Sequence, residues 1–191
     1  MKDNIAFLFP GQGSQYIGMG KDLYDNINEC KYIFDKGDEI LQMPMKEMIF
    51  YGREEDLKRT RYSQIAILLT SLACAKAIEL RGISPKYTVG LSLGEYGALI
   101  ESGAINFEDG VKLIKKRAEI MDSEISPEKG TMAAILKLNS QKVEELIKRS
   151  NEFGLVEGAN YNCPGQTVIS GEVNAINESV KIAKELGGRA V

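Results

Sequence analysis

Ser92 stands between Gly90 and Gly94 in "TVGLSLGEYGAL", residues 88 to 99. The stretch fits G-x-S-x-G, in which a serine at a tight strand-to-helix turn aims its hydroxyl out of the end of a sheet. Glycines two before and two after the serine let neighbouring backbone pass close by. The N–H of Leu93 then falls at a helix N-terminus, where a free donor and the helix dipole can hold an oxyanion. The same spacing fits a serine that merely caps a helix. A second loop, "FPGQGSQ" (9–15), also follows an apolar run. It lacks the lysine and hydroxyl residue of a phosphate-binding loop and the spacing of a dinucleotide fingerprint. Beside an elbow serine, Gln12 in that loop could complete an oxyanion hole; alone, the loop reads as a tight turn.

Arg117 is the third candidate. On a helical wheel of "GVKLIKKRAEIM", Val111, Leu113, Ile114, Ala118, Ile120 and Met121 form one apolar face, with Arg117 in its middle. Lys112, Lys115, Lys116 and Glu119 lie opposite. A guanidinium does not deprotonate in a protein, so a buried one needs an anion. A protein carboxylate would satisfy it, and so would a substrate carboxylate gripped through two parallel hydrogen bonds. A serine nucleophile normally needs a base, yet the chain contains no histidine.

Strands and helices must bring these residues together. "IAFLFP" (5–10) and "KYTVGLS" (86–92) read as buried strands. Residues 21–42, "YSQIAILLTSLACAKAIELRG" (62–82), "LGEYGALIESG" (93–103) and "NFEDGVKLIKKRAEIMDSE" (106–124) read as helices, the last with Asn106 as N-cap. Two strands are few for so many apolar helices, so the sheet of this α/β core reads as incomplete. After "SPEKG" (126–130) the pattern becomes strand, helix, two strands, helix and a short last strand. That βαββαβ order is the ferredoxin-like plan. The expected organisation is an α/β-hydrolase-like parallel-sheet core over 1–125 and a small ferredoxin-like α+β subdomain over 126–191.

The 191 residues are 43% hydrophobic and 27% charged, with net charge −3. No long basic tract invites nucleic acid, and no apolar stretch reaches bilayer-spanning length. Cys30, Cys74 and Cys163 are odd in number and widely spaced, which suits reduced thiols in the cytoplasm rather than a disulfide frame or a metal site. The N-terminus shows no cleavable signal pattern.

Taken together, "FPGQGSQ", "GLSLGEY", Arg117 and "NYNCPGQTVISG" (160–171) resemble the malonyl-CoA:acyl carrier protein transacylases of fatty-acid synthesis and the related acyltransferase domains of polyketide synthases. The likeness runs from residue 5 to the last. It implies that Ser92 takes a malonyl group from coenzyme A and passes it to the phosphopantetheine thiol of acyl carrier protein, with no cofactor beyond the thioester substrate. Gln12 and Leu93 match the oxyanion donors, chiefly through backbone N–H groups. Arg117 matches the partner of the malonyl carboxylate. Gln64 matches a pocket glutamine, although Ile65 stands where the family usually has proline. Asn160 and Asn162 match positions that face the cleft from the small subdomain.

Leu91 stands where most members carry a histidine that is not the base. The family's catalytic histidine belongs to a proline-serine-histidine-type motif beyond the end of this chain. The expectation is a C-terminally shortened member, inactive or weakly active alone. A serine esterase or thioesterase and an inactive carrier-binding fragment are the alternatives. Docking of an acidic carrier would call on Lys112, Lys115 and Lys116, or on Arg53, Lys58, Arg59 and Arg61.

Overall fold

The computed structural model describes residues 4–123 and 129–191. The expected boundary near residue 126 and the end of the 106–124 helix lie outside the described residues. The chain divides into two compact units, Met1–Glu124 and Ile125–Val191.

In the first unit, strands β1 (Ala6–Phe9) and β2 (Tyr87–Gly90) pair in parallel, with Leu8 opposite Val89 and Phe9 opposite Gly90. Parallel register places the loops after both strands at one sheet edge, which is what brings "GQGSQ" beside Ser92. This unit also holds seven helices among the described residues: α1 (Lys21–Asn26), α2 (Asn28–Leu41), α3 (Met45–Tyr51), α4 (Glu54–Leu57), α5 (Thr60–Glu79), α6 (Gly94–Glu101) and α7 (Phe107–Ser123). Helix α6 packs on both strands, and Leu8, Tyr87 and Val89 are exposed where the sequence pattern predicts buried strands. The 21–42 stretch is thus two helices, because Ile27 is extended (φ −131°, ψ 113°).

Helix α5 is the axis of this unit. Its run from Ser63 to Leu69 is buried without a break, as expected of a helix apolar all round. It packs against α2 and α7. Phe34, Leu41, Ile49, Leu68, Leu69, Leu93, Val111 and Ile114 lie in one core with it. Each fully buried side chain of this size contributes roughly 1.5–3 kcal/mol relative to exposure. The α7 wheel needs correcting: Val111, Ile114 and Ala118 are buried, but Leu113, Ile120 and Met121 are exposed. The covered stripe is narrower than the apolar one, and Arg117 sits partly buried at its margin. Asn106 caps this helix, its Oδ1 accepting from the Asp109 N–H at 2.9 Å.

The second unit has strands β3 (Gly130–Leu136), β4 (Val156–Cys163), β5 (Gln166–Glu172) and β6 (Arg189–Ala190), with helices α8 (Ser140–Ser150) and α9 (Val173–Glu185). The sheet order is β4-β5-β3-β6, with antiparallel neighbours. In chain order this is the βαββαβ ferredoxin-like arrangement. Asn139 caps α8 by accepting from the Lys142 N–H. Ala133, Ile135, Leu146, Val156, Ile169 and Ile176 form this unit's own core.

Candidate active site

Ser92 follows β2 and precedes α6, with φ +54°. That left-handed backbone costs an L-residue about 1–2 kcal/mol, and strain of this kind collects where a side chain must be aimed. Packing leaves no room to relax it. A Cβ on Gly90 would lie 2.0 Å from the Gly94 carbonyl carbon, and one on Gly94 would lie 2.2 Å from the Phe9 carbonyl oxygen. Backbone meets backbone at both points, so only glycine fits. The Leu93 side chain anchors the turn in the core. Its N–H finds no acceptor among the described residues, which leaves a donor at the start of α6.

The loop after β1 is folded by its own polar groups. The Gly13 N–H donates to Gln15 Oε1 at 2.9 Å, and Ser14 Oγ donates to the Gly11 carbonyl at 3.1 Å. Gln12 Nε2 donates to Thr60 Oγ1 at 3.3 Å, tying the loop to the first turn of α5. The Gln12 N–H has no acceptor among the described residues. Both expected oxyanion donors are therefore unpaired in the same unit as Ser92.

Arg117 reaches this turn from α7. Its Nη2 donates to Ser92 Oγ at 3.0 Å, and its Nη1 donates to Gln64 Oε1. Gln64 is fully buried. Its Nε2 contacts Met121 Sδ at 3.3 Å and makes a long 3.5 Å contact with Gln12 Oε1. Thus α5, α6, α7 and the β1 loop converge on one point. No carboxylate among the described residues forms an ion pair with Arg117; the protein-carboxylate alternative raised by the sequence finds no support there. Tyr96 and Thr60 belong to this cluster and were not singled out from the sequence. The signal for Tyr96 is its place in the first helical turn after the Ser92 turn.

Asn160 and Asn162 lie on β4 of the second unit, the first half-buried and the second exposed. Asn162 Nδ2 donates to Gln166 Oε1 at 3.3 Å. The strand's register shifts on both sides of Asn160 and Tyr161. The basic clusters are largely engaged locally. Lys112 pairs with Glu108, Arg53 with Asp56, Lys58 with Glu54 and Arg59 with Asp122, and Lys115 Nζ donates to the Leu41 carbonyl. Among the described residues no cluster of histidine, cysteine, aspartate or glutamate could hold a metal ion, and no helix is long and apolar enough to cross a membrane.

This α/β unit thus presents a left-handed serine between strand and helix, an unpaired amide donor on the next residue and a guanidinium on the serine hydroxyl. The chain belongs to the acyl transferase domain family, whose sequence pattern matches residues 6–190. It is 44% identical over 186 residues to a malonyl CoA-acyl carrier protein transacylase of Bacillus subtilis, covering 97% of this chain and 59% of that one. Among solved structures it is similar to the transacylase of the same description from Clostridium perfringens, with TM-score 0.88 and 47% identity, covering 99% of this chain and 60% of that chain. A malonyl-transacylase in complex with its type II PKS acyl-carrier protein is also similar, with TM-score 0.83 and 31% identity over 99% of this chain and 62% of that one. The chain spans about 60% of the length of these relatives. The family resemblance read from the motifs is borne out.

Proposed function

We propose that this chain supplies the nucleophile and the acid-recognising cation of an acyltransferase. The enzyme moves a malonyl group from coenzyme A to the phosphopantetheine thiol of acyl carrier protein, in cytoplasmic fatty-acid biosynthesis. The observation that carries the reading is the 3.0 Å contact between Arg117 Nη2 and Ser92 Oγ, made by an arginine with no ion-pair partner among the described residues. A malonyl thioester holds its carboxylate one methylene from the carbonyl under attack. A cation adjoining the nucleophile suits that spacing. The names of the relatives point the same way.

Arg117 donates to Ser92 Oγ, so the serine accepts there and its own proton remains available to a base. A guanidinium cannot take that proton. The 191 residues contain no histidine, so we assign the base to a group outside them. With the proton removed, Ser92 Oγ attacks the thioester carbonyl. The Gln12 and Leu93 N–H groups hold the oxyanion of the tetrahedral intermediate. The intermediate collapses by breaking the C–S bond, and coenzyme A leaves as its thiol with the proton returned by the base. The carrier's thiol then repeats the sequence on the serine ester, and Ser92 regains its proton. Arg117 meanwhile holds the malonyl carboxylate, and an acetyl group would leave it unpaired. Gln64 orients the guanidinium. Asn160 and Asn162 are assigned to substrate binding on the family likeness alone. The chemistry consumes a coenzyme A thioester and uses no further cofactor.

The test supplies the base as imidazole and maps peptides by mass after incubation with malonyl-CoA. A malonyl increment on the Ser92 peptide, absent in Ser92→Ala and discharged by added pantetheine thiol, is expected. Labelling confined to cysteines or lysines, with Ser92 unmodified, would overturn the reading.

A further inference from the structure

Tyr96 lies in the first turn of α6, whose N-cap Leu93 directly follows Ser92. The Arg117 Cζ stands 5.6 Å from the Tyr96 ring centroid, within the range of a cation–π contact. Its hydrogen bonds go to Gln64 Oε1 and Ser92 Oγ. Each of these three groups is uncharged. Partly buried arginines are ordinarily held by carboxylates, which fix the guanidinium and cancel its charge together. Here the two effects are separated.

We propose that Tyr96 is a positioning residue that makes the site selective for acid-bearing thioesters. The proposal rests on the reading of Ser92 and Arg117 given above. The ring's electron-rich face attracts the guanidinium and limits where it can sit, but leaves its full positive charge for a ligand. A carboxylate in the same place would occupy the planar fork that a substrate acid needs. The turn that carries the nucleophile runs directly into the helix that carries the ring, with only the N-cap Leu93 between Ser92 and α6. Tyr96 also packs against the core of its unit, which fixes the ring plane.

The test uses the 191-residue chain with Tyr96→Phe, which keeps an aromatic face, and Tyr96→Leu, which keeps apolar bulk without one. The first readout is the NMR shift of the Arg117 Nε–H, which a ring current displaces. The second is calorimetric affinity for malonyl-CoA and for acetyl-CoA. Tyr96→Phe is expected to retain the displaced resonance and the native preference for malonyl-CoA. Tyr96→Leu is expected to lose the displacement and to bind malonyl-CoA about three- to tenfold more weakly, with acetyl-CoA unchanged. An unmoved Arg117 resonance in Tyr96→Leu overturns the cation–π contact and leaves the malonyl reading standing. Equal losses for both thioesters overturn the selectivity role, because a merely structural side chain would act on both. A native chain that binds the two thioesters equally overturns the malonyl reading and this role with it.

Discussion

Replacing Ser92 by glycine and by alanine separates the strain at the turn from everything else the serine does. Both variants lose the hydroxyl and its contact with Arg117, so those losses cancel in the comparison. What differs is the backbone. At φ +54°, alanine retains the Cβ penalty of about 1–2 kcal/mol, and glycine does not. Glycine carries an extra conformational-entropy cost of roughly 0.5–1 kcal/mol in the unfolded chain. The difference predicts that Ser92→Gly is the more stable of the two by about 0.5–1 kcal/mol. With a urea dependence near ~2 kcal/mol per molar, the midpoint should differ by a few tenths molar. Urea titrations of both variants, followed by circular dichroism at neutral pH, measure it. If Ser92→Ala proves equal or more stable, the turn is not strained in the way the geometry requires.

Gly94→Ala should be poorly tolerated, because its Cβ would sit 2.2 Å from the Phe9 carbonyl oxygen. A loss of about 2–3 kcal/mol is expected from such overpacking, read as a lower urea midpoint, and a native-like midpoint would contradict the close approach of α6 to β1. Glu101 offers a pH test. Burial raises its pKa, and the neighbouring Glu79 raises it further, against a smaller opposing effect of Lys76. Its Oε1 is buried without a hydrogen-bond partner among the described residues. The folded state thus binds that proton more tightly than the unfolded state. Stability is fullest below the ordinary glutamate range and falls as pH rises through the raised folded value. Glu101→Gln, which cannot ionise, should gain in melting temperature over the native chain at pH 7.5 and lose that advantage near pH 4. A difference independent of pH would count against it.

The elbow was legible because its physics is local. A strand, two glycines around Ser92 and a helix after it need no distant partner to be recognised, and the loop at 9–15 shares that setting. The second unit's order was equally readable, since each strand and helix carries its own period and the β4–β5 hairpin turns at Pro164-Gly165. The surroundings of Arg117 were less so. The wheel of α7 told which residues are apolar but not how wide a strip its neighbours cover, so Leu113, Ile120 and Met121 were expected inside and are exposed. Gln64 is singled out only through the family likeness; its contact with Arg117 arises from α5 and α7 packing side by side, and that with Gln12 from the β1 loop lying against the start of α5. The break between α1 and α2 at Ile27 carried neither glycine nor proline to announce it. The shifts in β4 depend on its pairing with β5, which no short window of sequence encodes.

The central claim is that Arg117 and Ser92 converge on one small acid-bearing thioester. It is tested most directly by offering the chain equal malonyl-CoA and acetyl-CoA, with imidazole as base, and measuring the ratio of the two acyl groups found on Ser92. A charge-assisted hydrogen bond of roughly 1.5–3 kcal/mol corresponds to a preference of about ten- to a hundredfold for malonyl, which should collapse toward parity in Arg117→Ala. An unchanged ratio in that variant would contradict the account.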